Sequence, residues 1–319
     1  MTQNVRLQYF PISFFSMILG LAGFTIAFQR AESILSLQFT ISSVLLIITS
    51  SLFLGFLLIY LLKMIKYFPE VKAEFNNPVK LSFFPTTSIS LLLLSILYLS
   101  IDPLISKILW IIGTLAHFVL FIKIITIWIH HDKFNVKHMN PAWFIPAVGN
   151  LIIPISGVAH FPIELSWFFY SIGIIFWIIL LIVFFNRIIF HNPLTDKLLP
   201  TLFLLIAPPA IGFVSYVKLT GSIDSFAKIL YYFSLFMFIL LLTQIKLFTK
   251  IKFYLSWWAY SFPIAAITIA SLLMYHQTQM LFFNYAAYTL LTILSIVIII
   301  ILTKTIISVT KKEVCVAED

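Results

Sequence analysis

Residues 253–303 read FYLSWWAYSFPIAAITIASLLMYHQTQMLFFNYAAYTLLTILSIVIIIILT. Two apolar runs, 253–275 and 280–303, flank a short polar turn at His276, Gln277 and Gln279. Each has the roughly 20 residues that a helix needs to cross about 30 Å of hydrocarbon at 1.5 Å rise per residue. They differ in kind: the first carries serines, alanines and Pro263, whereas the second is nearly uniform in Leu, Ile and Val.

The same pairing recurs upstream. Apolar segments of spanning length lie at about 8–29, 38–62, 82–101, 105–129, 141–160, 163–186, 198–217 and 225–248, making ten with the two above and predicting one membrane domain over 1–319. Over all 319 residues, 61% are hydrophobic and only 10% charged, with mean hydropathy +1.08. Too little polar sequence is left to cover a soluble domain. The first segment is too long for a removed signal peptide and lacks a small-residue cleavage site, so it is expected to be retained.

Within the ten segments prolines fall only in the odd ones, where glycines and small polar residues accompany them: Pro11, Gly20 and Gly23; Pro85, Thr86 and Thr87; Pro146, Gly149, Asn150 and Pro154; Pro208, Pro209 and Gly212; Pro263. A proline leaves a helical carbonyl without its partner, which is costly against lipid and cheaper against protein or a wet cavity. Small residues permit close helix approach or expose backbone to a lumen. The alternation predicts five helical hairpins, odd helices inside and even helices outside, in an all-α integral membrane fold.

Placing both termini on the cytoplasmic face leaves only Arg30, Lys107, Lys218 and Lys228 of the 20 Lys and Arg residues on the opposite side. This positive-inside asymmetry sets the expected topology at a cell inner (plasma) membrane. It also assigns the formal charge of +9 to lysines beside anionic lipid, not to nucleic acid.

Away from their ends the ten segments hold no Asp, Glu, Lys or Arg. A buried proton relay or a carboxylate ring for cations is therefore disfavoured. A neutral lumen with basic surroundings tolerates anions instead. Enzyme and metal readings find no support: H-E-x-x-H, G-x-S-x-G and P-loop motifs are missing, and His130, His131, Asp132 and His138 lie in a loop without the one-face spacing of a helical metal site. Cys315 is the single cysteine, so no disulfide or cysteine cluster forms within the chain. No cofactor is expected, and His117, His160, His191 and His276 read as isolated structural residues.

Five stretches in order carry a family resemblance: FPISFFSMILGLAGFTIAF (10–28), NPVKLSFFPTTSISLLLL (77–94), MNPAWFIPAVGNLIIPISG (139–157), IAPPAIGFVSYV (206–217) with FAKILYYFSLF (226–236), and FYLSWWAYSFPIAAITIAS (253–271). With them the chain resembles the family of the bacterial tellurite-resistance protein TehA, the yeast malate permease and the plant guard-cell slow anion channel. The resemblance implies ten helices, five of them around a central pore in each subunit, and a homotrimer whose subunits conduct separately. It also implies that Phe262 is the phenylalanine that blocks the pore at mid-membrane, passing small monovalent anions such as chloride and nitrate when displaced. A carrier for malate-like dicarboxylates or tellurite-related oxyanions, proton-coupled or not, is the competing expectation, and a membrane scaffold without flux is a third. About seven residues precede the first segment, so the phosphorylated N-terminal region of the plant channels is not carried over.

Around Phe262, Ala259, Ala265 and Ala266 leave space, and Pro263 is expected to bend the helix. Trp257 and Trp258, near Lys246, Lys250 and Lys252, read as interfacial anchors. Ser16, Gly20, Phe84, Thr87, Pro146, Gly149, Pro208, Gly212 and Pro263 are the other candidates for the pore lining, close packing or kinks.

Overall fold

A computed structural model describes residues 5–35, 40–130 and 134–316, and every regular element among them is helical. The ten apolar segments are occupied by α1 Phe15–Ile34, α2 Ile41–Lys66, α3 Pro85–Tyr98, α4 Pro103–His130, α5 Phe144–Gly157, α6 Ile163–Phe190, α7 Ala207–Thr220, α8 Ser225–Thr243, α9 Ser261–Thr278 and α10 Leu281–Thr310. Counting the one-turn lead-ins below, nine of these units among the described residues are long and apolar enough to cross a membrane, and the unit at Pro141–Gly157 is shorter.

Each odd helix is entered through a 3₁₀ stretch: Ile12–Phe14, Lys80–Phe83, Pro141–Trp143, Leu199–Leu205 and Leu255–Tyr260. Prolines explain four of the five; α1 has none in its first turn, and Pro11 instead precedes its 3₁₀ stretch. Pro85 opens α3, while Pro146, Pro208, Pro209 and Pro263 stand second or third in α5, α7 and α9. First-turn N–H groups have no partner within the helix, so proline is tolerated there. The preceding residues close i→i+3 bonds instead, as in Trp257 N to Tyr254 O (2.9 Å) and Ile206 N to Phe203 O (3.0 Å). At α9 the change from 3₁₀ to α thus falls at Tyr260–Ser261, just before Pro263.

The inner helices close a ring in the order α1–α3–α5–α7–α9 and back to α1. Each even helix packs on the odd helix before it: α2 on α1, α4 on α3, α6 on α5, α8 on α7 and α10 on α9. The burial contrast follows. Between 78 and 89% of the α1, α3, α7 and α9 spans is buried, against 22–39% for the even helices. Every residue of α5 is buried.

Glycine sets how closely the layers approach. A Cβ on Gly149 of α5 would lie 2.0 Å from His117 Cε1 of α4. His117 is fully buried, donates from Nε2 to Pro146 O (3.0 Å), and holds Nδ1 3.0 Å from Ser88 Oγ of α3. The ring is therefore tied to two inner helices and has nowhere to move. Gly149→Ala is expected to destabilise the bundle by about 2 kcal/mol or more through overpacking, read as a lower melting midpoint in detergent; His117→Ala in the same chain should restore part of the loss.

Candidate functional site

The axis of the five-helix ring holds two cavities, and Phe262 of α9 borders both. The cavity nearer the termini, about 30 Å³, also touches Ser16, Phe83, Phe144, Ile145 and Ala207. That is room for only two or three waters. The cavity on the other side, about 200 Å³, extends outward past Ile26, Ile155 and Ile211 to Arg30, Lys218 and His276.

Phe262 is 5% exposed and wedged by α1. A Cβ on Gly20 would lie 2.0 Å from Ser261 Oγ, and one on Gly23 would lie 2.9 Å from Ala265 Cβ and 3.4 Å from Phe262 Cδ2. The two glycines thus let the α1 backbone lie against α9 on either side of the ring.

Ser16, Phe144, Ile145 and Ala207 each stand first or second in an inner helix, as does Phe262. The small cavity therefore lies among helix N-termini, where the macrodipole carries its positive end. Ser16 Oγ in its wall has no hydrogen-bond partner among the described residues. No carboxylate lines either cavity.

The remaining sequence candidates are spread more widely. Gly20 sits in the α1–α9 contact and Gly149 beneath His117, while Gly212 faces Ile174 of α6 and Leu230 of α8. Phe84 packs outward on Phe75 (4.9 Å) and Tyr60 (6.4 Å), and its neighbour Phe83 borders the small cavity instead. Thr87 Oγ1 donates to Phe84 O (2.8 Å), and Pro146 O accepts from His117 and Asn150. Pro208 and Pro263 are buried first-turn prolines.

One reading needs correction. Trp258 is not an interfacial anchor: it is 2% exposed and donates from Nε1 to Thr305 Oγ1 of α10 (3.1 Å). A 3₁₀ turn eclipses i and i+3, which stacks Trp258 over Ser261 and turns it into the bundle; Ser261 Oγ donates to Trp258 O (2.6 Å). Trp257 stays half-buried with Nε1 on Lys252 O (3.2 Å).

Two polar sites escaped the sequence reading. Lys63 and Glu74 form a buried ion pair (2.9 Å), and Arg30 and Lys218 share the outer cavity. A signal for the second was present, because both are among the four cations that break the charge asymmetry. Among the described residues no three His, Cys, Asp or Glu side chains gather as metal ligands. His131 and Asp132 lie outside the described residues.

Residues 9–306 match the family model SLAC1, described as voltage-dependent anion channel. The chain is 31% identical over 273 residues to the S-type anion channel SLAH3 of Arabidopsis thaliana, covering 82% of this chain and 42% of that protein. It is 26% identical to the uncharacterized transporter MJ0762 of Methanocaldococcus jannaschii, covering 94% and 95% of the two chains. Against the tellurite resistance protein TehA homolog of Haemophilus influenzae the identity is 27%, with 86% and 84% covered. The chain spans about half the length of two of the plant relatives it matches, 42% of SLAH3 and 52% of SLAH2.

Proposed function

The chain belongs to the SLAC1 family of voltage-dependent anion channels, and from that premise we propose that it passes small monovalent anions such as chloride and nitrate down their electrochemical gradient. The path is the space enclosed by α1, α3, α5, α7 and α9, and the ring of Phe262 is its barrier. The observation that carries this reading is that one side chain borders two cavities otherwise separated along the axis.

Charge and hydration support it. A weakly hydrated monovalent anion meets helix N-termini and no carboxylate at the constriction. No acidic residue lines the path to accept a coupled proton. In this reading the chain is a multi-pass protein of the cell inner membrane with both termini cytoplasmic, and three copies assemble with one path each.

The likeness to a tellurite resistance protein homolog motivates the second reading, a carrier for dicarboxylates or tellurite-related oxyanions. Reversal potentials of purified protein in planar bilayers separate the two when chloride, nitrate, malate and protons are varied one at a time. The channel reading expects the reversal potential to follow chloride and nitrate and to ignore the proton gradient. Saturable flux that tracks pH and malate would replace it with the carrier.

A further inference from the structure

The outer cavity carries two full cations without a counter-ion. Arg30 is half-buried near the end of α1, and Lys218 is exposed in the last turn of α7. Neither makes a hydrogen bond or ion pair among the described residues, and no Asp or Glu lines the cavity they share. Three carboxylates at this end are engaged elsewhere, and Glu164 does not line the cavity. Asp224 accepts from Tyr216 Oη (2.6 Å) and Ala227 N (2.9 Å), Glu32 accepts from Ser42 N (2.8 Å), and Asp102 accepts from Leu104 N (2.9 Å).

We propose that Arg30 and Lys218 hold a small dianion in this outer vestibule, and that the dianion obstructs the path instead of crossing it. The proposal rests on the channel reading for its effect on current, but not for the binding itself. Ser33, Gln277 and His276 line the same mouth and offer further polar atoms to the ligand.

Inward of the cations the wall changes character. From Arg30 toward Phe262 the lining is Ile26, Leu93, Ile96, Ile155, Ile211 and Val214, with no polar side chain among them. The Born cost of leaving water grows as the square of the charge, so a dianion meets about four times the penalty of a monovalent anion of equal size. A cavity of about 200 Å³ admits a sulfate-sized ion with part of its water. The dianion is therefore attracted by two charges and stopped by the apolar throat, whereas chloride passes on.

The alternative role for the two cations is to offset the carbonyl ends of the inner helices, which meet at this mouth. Sulfate titration separates the roles. The first measurement is calorimetry of purified protein in detergent, comparing the parent with Arg30→Gln/Lys218→Gln. The second is chloride current through Phe262→Ala channels with sulfate added on each side in turn. Saturable sulfate binding, weakened at least tenfold in the double variant, is expected. So is block from one side only, with the half-blocking concentration raised at least tenfold by the same pair of substitutions and kept by Arg30→Lys. Binding without any chloride current would remove the channel reading and leave the site standing. No sulfate binding, equal binding by the double variant, or a sulfate current through the open channel would each overturn the proposal.

Discussion

Replacing Phe262 by alanine is expected to raise chloride current at least tenfold over the parent at equal protein density in the bilayer. Tenfold corresponds to about 1.4 kcal/mol off the barrier. The ring is the group that borders both the 30 Å³ and the 200 Å³ cavities, so its removal joins them. The gain has two sources. The steric stop is lost, and a short apolar neck that excludes water becomes wide enough to stay wet. Phe262→Leu should be intermediate and Phe262→Trp should not exceed the parent. Removing a well-packed phenylalanine costs about 3–5 kcal/mol. This ring faces cavities on two sides, so the cost falls toward or below the lower end. A folded Phe262→Ala protein with parental current would dismiss the ring as the barrier.

The layering of the fold was legible because a proline inside a spanning segment is costly against lipid, and such prolines mark the segments of α1, α3, α5, α7 and α9 as inner. What the marks do not carry is direction. Gly149 and Gly212 were candidates for pore lining, close packing or kinks, and their close contacts are with the outer helices, at His117 and at Ile174 and Leu230. Phe83 and Phe84 are adjacent in sequence and part company in space, one beside the cavity and the other on Phe75 and Tyr60. A single step of helical phase decides this, and the 3₁₀ entries shift that phase in a way apolar periodicity does not record. Trp258 was misread for the same reason. Phe262 stood out among 34 phenylalanines only through the family resemblance, since its local pattern of alanines and one proline also fits close packing.

Glu74→Ala should give the largest loss of stability among conservative truncations, about 3–5 kcal/mol, because it strands a buried cation. The Lys63–Glu74 pair is 4% and 6% exposed at its two side chains. Glu74 does more than neutralise Lys63: its Oε1 accepts from Ile12 N (2.7 Å) and its Oε2 from Tyr60 Oη (3.1 Å). Lys63 Nζ in turn donates to Phe10 O (2.8 Å). One carboxylate thus ties the surface helix Phe68–Asn76 to α2 and to the 3₁₀ turn that leads into Ser16 on the wall of the small cavity. Glu74→Gln should cost less, since its amide oxygen still accepts a hydrogen bond while Lys63 stays uncompensated. A buried ion pair adds little over an apolar pair of the same shape, so Lys63→Met/Glu74→Leu should recover most of the melting midpoint lost in Glu74→Ala. That recovery would assign the pair to fixing the register of the α1 entry and not to net stability. Melting of Glu74→Ala at the parental temperature would show that the network does not hold this end of the bundle.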